Sequence, residues 1–280
     1  ACEPDANDQQ YTELSSDVRR VAMQRSVQGN GDIWLLDLLR TGSTRLTFDP
    51  ADEAAPTWSP DGRQIAFASN RTGPYNLHVK ASNGLGAEER LGPQATNTAP
   101  QDWSPDGRWL LYSEVHPTTG RDLWALDMAA TGRTPHMVAT TRAEETMAEF
   151  SPNGRWVAYQ SNESSRFEVV VQPFPDASGK WQVSTSGGVA PRWRADGREL
   201  YFLAPDGTMM AAPVSAAGTS FEVGTPEALF PTRIVEGGST RNQPQYDLSR
   251  DGRFLINQPA RDATTAPITL LLNWNPAAKK

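Results

Sequence analysis

Six positions in the chain place a side chain with chemistry one residue ahead of a bulky apolar residue. They are Glu13 before Leu14, Thr57 before Trp58, Asp102 before Trp103, Glu149 before Phe150, Arg192 before Trp193 and Asp247 before Leu248. The intervals between them are 44, 45, 47, 43 and 55 residues. If the fold brings these positions together, four carboxylates face one guanidinium. Such a set has three readings. It is a solvated or internally paired lining in which Arg192 offsets its neighbours. It holds a cation or a cationic ligand; hard divalent ions take oxygen ligands, which makes Glu13, Asp102, Glu149 and Asp247 the candidate metal ligands and Ca²⁺ the candidate ion. Or a cation bound there activates water, giving a hydrolase or lactonase. No other cofactor is implied.

Other catalytic patterns are poorly matched. A serine nucleophile elbow needs G-x-S-x-G, and "GGSTR" at 237–241 lacks the final Gly. "GLGAEE" at 84–89 fails the dinucleotide fingerprint at its last position. His78, His116 and His136 share no spacing suited to zinc or a triad. Cys2 is the single cysteine, so the chain cannot form an internal disulfide.

The elements that must position the six residues are written in a repeat. "WSPDGRQIAF" at 58–67 returns as "WSPDGRWLLY" at 103–112 and "FSPNGRWVAY" at 150–159. Counting Asp17, Asp61, Asp106, Asn153, Asp196 and Asp251 gives six copies, and in the first of them Val18 stands where the others have Gly. Pro presets φ at the first turn position, Asp or Asn accepts local backbone hydrogen bonds, and Gly takes the positive φ that closes the turn. A short strand precedes each corner and an alternating one follows, as in "RQIAFAS" and "RWVAYQS". A third and usually a fourth run complete each copy. Self-similarity at this period signals a repeat architecture. Four antiparallel strands repeated six times predict an all-β, six-bladed β-propeller with the bulky corner residue wedged between blades near the axis. The blades are expected at about 11–49, 55–94, 99–141, 147–186, 190–233 and 244–274, as one domain with an N-terminal segment at 1–10.

The sixth copy ends without a fourth strand of its own. The polar segment 1–10 either completes that blade or leaves its edge open, and an open edge invites self-association or structural assembly. On the face opposite the corners, the loops entering the inner strands are long and polar: 49–56, 95–100, 140–148, 184–191 and 233–245. Loops held by a rigid scaffold are where ligands usually bind. A funnel there would use Asp52, Glu53, Asn97, Glu144, Glu145, Arg241 and Asn242, with Arg192 below them.

The pattern P-x-W-S-P-D-G-R-x-I-A-F-x-S-N-R-x-G at 56–73 resembles the TolB-like, or PD40, WD40-like propeller repeat. More narrowly, "DIWLLDL", "VVVQPFPDASGKWQVSTSGG" and "ITLLLNW" are similar to propellers carried C-terminal to serine/threonine protein kinases of soil bacteria such as acidobacteria. That resemblance implies a sensor or binding module outside the membrane, periplasmic or at the cell surface. It would bind a protein, a peptide or a small ligand, without catalysis. No Gly-rich loop, HRD-type loop or DFG motif of a kinase occurs in the chain. A net charge of −7 argues against nucleic acid as partner. No apolar run is long enough for a membrane span, so no insertion by this chain is expected.

Overall fold

The computed structural model describes residues 9–40, 42–92, 95–217, 220–234, 245–257 and 268–271. Its 24 strands form six antiparallel sheets. The first holds β1 (Gln9–Leu14), β2 (Arg20–Val27), β3 (Asn30–Asp37) and β4 (Ser43–Arg45). The second holds β5 (Glu53–Trp58), β6 (Gln64–Ser69), β7 (Asn76–Ala81) and β8 (Glu89–Arg90). The third holds β9 (Thr98–Trp103), β10 (Trp109–His116), β11 (Gly120–Asp127) and β12 (Pro135–Ala139). The fourth holds β13 (Glu145–Phe150), β14 (Trp156–Ser161), β15 (Glu168–Pro173) and β16 (Trp181–Gln182). The fifth holds β17 (Val189–Trp193), β18 (Glu199–Leu203), β19 (Thr208–Ala217), β20 (Ser220–Val223) and β21 (Glu227–Pro231). The last holds β22 (Tyr246–Leu248), β23 (Phe254–Asn257) and β24 (Ile268–Leu271). Among the described residues there is no helix, and so none long and apolar enough to cross a membrane.

Neighbouring inner strands touch in the order β1, β5, β9, β13, β17, β22, and β22 returns to β1. That closed circuit is the signature of a propeller. Two sheets depart from the four-strand expectation. In the fifth, the ten-residue β19 is long enough to pair with both β20 and β21. The last has three strands among the described residues. Gln9 and Gln10 pair with Arg25 and Gln24 at the start of β1, so they extend the innermost strand of the first sheet and do not complete the last one. Residues 1–8 lie outside the described residues, as does most of the chain after Asn257.

The repeated corner is built by one hydrogen-bond pattern. Ser59 Oγ donates to Asp61 Oδ1 at 2.6 Å and accepts from Gln64 N at 2.9 Å. The Asp61 carboxylate also accepts Arg63 N at 3.0 Å. The same Ser-to-Asp or Ser-to-Asn bond recurs at Ser15, Ser104, Ser151 and Ser249. The fifth corner has Arg194 in place of Ser, and Asp196 there accepts Arg198 N alone and faces Arg194 Nε at 3.5 Å. Gly62, Gly107, Gly154, Gly197 and Gly252 all adopt positive φ. The corner Pro has a second use. Pro60, Pro105 and Pro152 pack 3.6–3.9 Å from where a Cβ would stand on Gly107, Gly154 and Gly197 of the next blade.

The core is six apolar clusters, one at each junction between sheets. Trp58 packs on Ala22, Ile33 and Leu35 of the first sheet. Trp103 packs on Ala66, Leu77 and Val79 of the second, Phe150 on Leu111 and Leu123 of the third, and Trp193 on Trp156, Val169 and Val171 of the fourth. The wedge role expected for the corner aromatic is the observed one. Burying such a side chain contributes about 1.5–3 kcal/mol, which makes these residues the main anchors of the ring.

Candidate functional site: an axial cavity framed by carboxylate latches

The six inner strands surround an axial cavity of about 500 Å³. Glu13, Asp102, Glu149, Arg192 and Asp247 all line it. Corner residues line it as well: Ser16, Val18, Pro60, Pro105, Pro152, Ala195 and Arg250. The cavity therefore opens toward the corner face.

Each carboxylate is already engaged, and always in the same sense around the ring. Glu13 Oε1 accepts the N–H of Trp58 on the next blade at 3.0 Å. Asp102 Oδ2 accepts Phe150 N at 2.7 Å, and Glu149 Oε2 accepts Trp193 N at 2.9 Å. Asp247 Oδ2 accepts Leu14 N at 2.7 Å, which ties the last sheet to the first. These are latches between blades. Two junctions lack one. Thr57 carries no carboxylate. Arg192 carries no acceptor, and Leu248 N turns to Asp247 Oδ1 at 2.7 Å.

Glu13, Asp102, Glu149 and Asp247 are the four residues expected as metal ligands. The four residues do converge on one cavity. Yet each spends an oxygen on a different blade junction, which spreads them around the wall. Among the described residues no group of three or more His, Cys, Asp or Glu could hold a metal ion.

The electrostatics follow from burial. Burial raises the Glu13 carboxyl well above the usual range, and the neighbouring Asp247 adds to this. Burial pushes Asp102 up to about 7, against the hydrogen bond from Phe150 and the pull of Arg192. Glu149 is raised well above its ordinary value by burial, opposed by Arg192 and reinforced by Asp102. Burial also raises Asp247, with Arg192 opposing. Burial works against the charge on Arg192, but Glu149 and Asp247 hold it firmly protonated. Its Nε lies 3.6 Å from Asp247 Oδ1, and its Nη1 donates to Pro191 O at 2.9 Å.

Of the described residues expected to form a funnel on the long-loop face, only Arg192 lines the cavity. Glu53 is fully buried and accepts from Ser69 and Arg71, at 3.1 and 2.9 Å. Glu145 is also fully buried and is bonded by the Thr141 hydroxyl. Asp52 Oδ1 accepts Gly31 N of the preceding blade, and Asn97 Oδ1 accepts Tyr75 N. Glu144 faces Arg121 at 3.7 Å. These polar side chains brace the loops and the blade junctions, because loop backbone groups need partners and charge needs an offset once it is buried. Arg241 and Asn242 lie outside the described residues. The corner-face lining was missed by the sequence reading. The signal was available: the corner Pro stands two residues after the wedge aromatic, and so close to the axis.

A closed ring of antiparallel sheets around such a cavity defines a β-propeller. Residues 11–145 match the family model described as TolB beta propeller domain. Over 156 residues the chain is 22% identical to the Tol-Pal system protein TolB of Helicobacter pylori strain J99, spanning 56% of this chain and 37% of that protein. The solved structure of a putative TolB from Agrobacterium tumefaciens superposes with a TM-score of 0.67 at 18% identity, over 95% of this chain and 91% of that one. An oligogalacturonate lyase from Vibrio parahaemolyticus superposes with a TM-score of 0.59 at 12% identity, over 95% and 91%. At such identities the structural likenesses show the fold alone. The chain is a β-propeller, and its first half is similar to the TolB propeller family.

Proposed function

We propose that this propeller is a non-catalytic binding module that receives a peptide segment of a protein partner at the corner-face mouth of its axial cavity. One observation carries the reading. The cavity gathers charged groups from five of the six blades, and the latches fix those groups in place, which makes a rigid, preorganised recognition wall. The likeness to a Tol-Pal system protein supports a protein partner and an extracytoplasmic location. Likeness to a lyase rests on fold, and a fold hosts many functions. The cation-dependent hydrolase reading lacks a metal-ligand group among the described residues. None of the relatives named above is a kinase, and the parent architecture forms no part of the proposal.

The test is a random-peptide display selection on the purified protein, with a counter-screen on Pro105→Trp/Arg250→Trp. Both side chains are exposed corners on opposite sides of the mouth. Peptides that bind the wild type should lose at least about tenfold in affinity on the blocked variant. Undiminished binding to that variant overturns the reading.

A further inference from the structure

The six corners carry unequal charge. Each holds an arginine two residues after its Asp or Asn: Arg19, Arg63, Arg108, Arg155, Arg198 and Arg253. In the corners at 15–19, 59–63 and 104–108 one aspartate answers that arginine, and the corner is neutral. The next three corners depart from this pattern, each at a different position, and each departure adds a positive charge. At 151–155 Asn153 replaces the aspartate. At 194–198 Arg194 replaces the serine, and at 249–253 Arg250 replaces the proline. Three consecutive corners therefore carry +1 each, on a chain whose net charge is −7.

The structure leaves these added charges open to a ligand. Arg63 faces Asp61 at 3.8 Å, Arg108 faces Asp127 at 2.9 Å, and Arg253 faces Asp251 at 2.8 Å. Arg155, Arg198 and Arg250 are exposed and have no ion pair among the described residues. At the fifth corner Arg194 takes Asp196, at 3.5 Å, and Glu199, at 3.1 Å, which leaves Arg198 without one. The three corners adjoin. Pro152 lies 3.9 Å from the Cβ position of Gly197, the neighbour of Arg198. Strand β17 touches β22, and Arg250 lines the cavity mouth together with Pro152 and Ala195. Planar guanidiniums pair with carboxylates through two parallel N–H donors. The row covers half of the corner face only. An extended anionic surface such as a membrane would also meet the rest of an acidic chain, which repels it. A short acidic segment fits the row alone.

Resting on the binding reading above, we propose that the partner peptide is acidic and lies over the rim of the fourth, fifth and sixth blades. Its Asp or Glu carboxylates pair with Arg155, Arg198 and Arg250.

The probe is a C-amidated hexa-glutamate peptide with an uncharged dye on its N-terminus, compared with the hexa-glutamine equivalent by fluorescence anisotropy. Hexa-glutamate should bind at least about tenfold more tightly, and Arg155→Gln/Arg198→Gln/Arg250→Gln should erase the difference. Arg19→Gln/Arg40→Gln/Arg63→Gln removes the same charge from the first two blades and should leave the preference in place. Asn153→Asp restores the aspartate of the other corners and should weaken hexa-glutamate binding by about threefold, with the fold intact. Equal affinity for the two peptides overturns the proposal. An equal loss in the two triple variants does so as well, since it traces binding to net charge. Arginine-dependent binding to phosphatidylglycerol vesicles without binding to hexa-glutamate also overturns it and makes the row a membrane contact. The display selection separates this failure from failure of the binding reading. Mouth-dependent peptides without Asp or Glu sink the acidic-partner inference and leave the binding site standing. If no selected peptide depends on the mouth, both fall.

Discussion

Val18 occupies the corner position that the other blades give to glycine, and it does so at a φ of 57°. A β-branched residue in that region is strained, because Cβ crowds the backbone. Val18→Gly should therefore stabilise the protein by about 1 kcal/mol, read as a higher denaturation midpoint; an unchanged or lower midpoint contradicts the strain assignment. Asp102 offers a second test at this scale. Asp102→Ala orphans the N–H of Phe150 and should cost about 1–3 kcal/mol. Asp102→Asn keeps a carbonyl acceptor and should equal or exceed the wild type at pH 8. If the two variants melt alike, Asp102 is no latch. At residue scale the sequence disclosed which side chains would meet at the axis, since all stand one place before the wedge residue. It did not disclose what they hold there. A backbone N–H carries no side-chain signature, so a carboxylate that accepts one looks the same in sequence as a carboxylate that binds metal.

Inner strands share a bulge that the period-2 pattern conceals. Tyr11, Ala55, Met147 and Ala190, three residues before each wedge residue, have φ between 51° and 55°. The pairing register shifts across each of them. Neighbouring blades hold two of the bulges in place. Met147 N donates to Gln101 Oε1 at 2.9 Å, and Ala190 N donates to Gln160 Oε1 at 3.0 Å. Bulges raise the local twist and re-aim side chains, which here turns the latch residue toward the axis. Ala190→Gly should change stability by less than about 1 kcal/mol, strain relief offsetting lost chain entropy. Ala190→Val should cost more than about 2 kcal/mol, because a branched side chain at positive φ clashes in a buried site. Equal unfolding free energies for the two variants would argue against a strained bulge. Strands and corners were legible because alternation and turn chemistry are local. The bulge was not: Tyr, Ala and Met give no warning of positive φ, and tertiary partners impose it. Likewise β20 escaped notice, since "SFEV" is too short to announce itself.

For the whole molecule, the latch ring links stability to pH. Folding raises Glu13, Asp102, Glu149 and Asp247, with burial the leading cause, and Asp102 reaches about 7. A carboxyl raised on folding contributes stability that is complete below its unfolded value and fades as pH climbs through its folded value. The melting temperature should thus decline as pH climbs from about 4 toward 7, the interval between the unfolded and folded values of Asp102. The corner carboxylates act with the opposite sign. Asp17, Asp61 and Asp106 are lowered chiefly by their Ser hydrogen bonds, so their contribution disappears only on acidification below the ordinary Asp range. Glu13→Gln/Asp102→Asn should flatten the alkaline limb, and a slope unaltered in that variant would rule out the ring as its source. At this scale the period of the repeat made the ring legible, whereas the corner-face lining of the cavity was not anticipated. Long polar loops drew attention, but their acids are consumed in bracing. The corner face, built from a motif that looks purely architectural, frames the cavity. The most direct test of that placement is hydroxyl-radical footprinting with a peptide taken from the display selection. Protection of Trp58, Trp103, Trp193 and the corner prolines is the predicted result. Protection confined to the loops at 49–56 and 140–148 would contradict it.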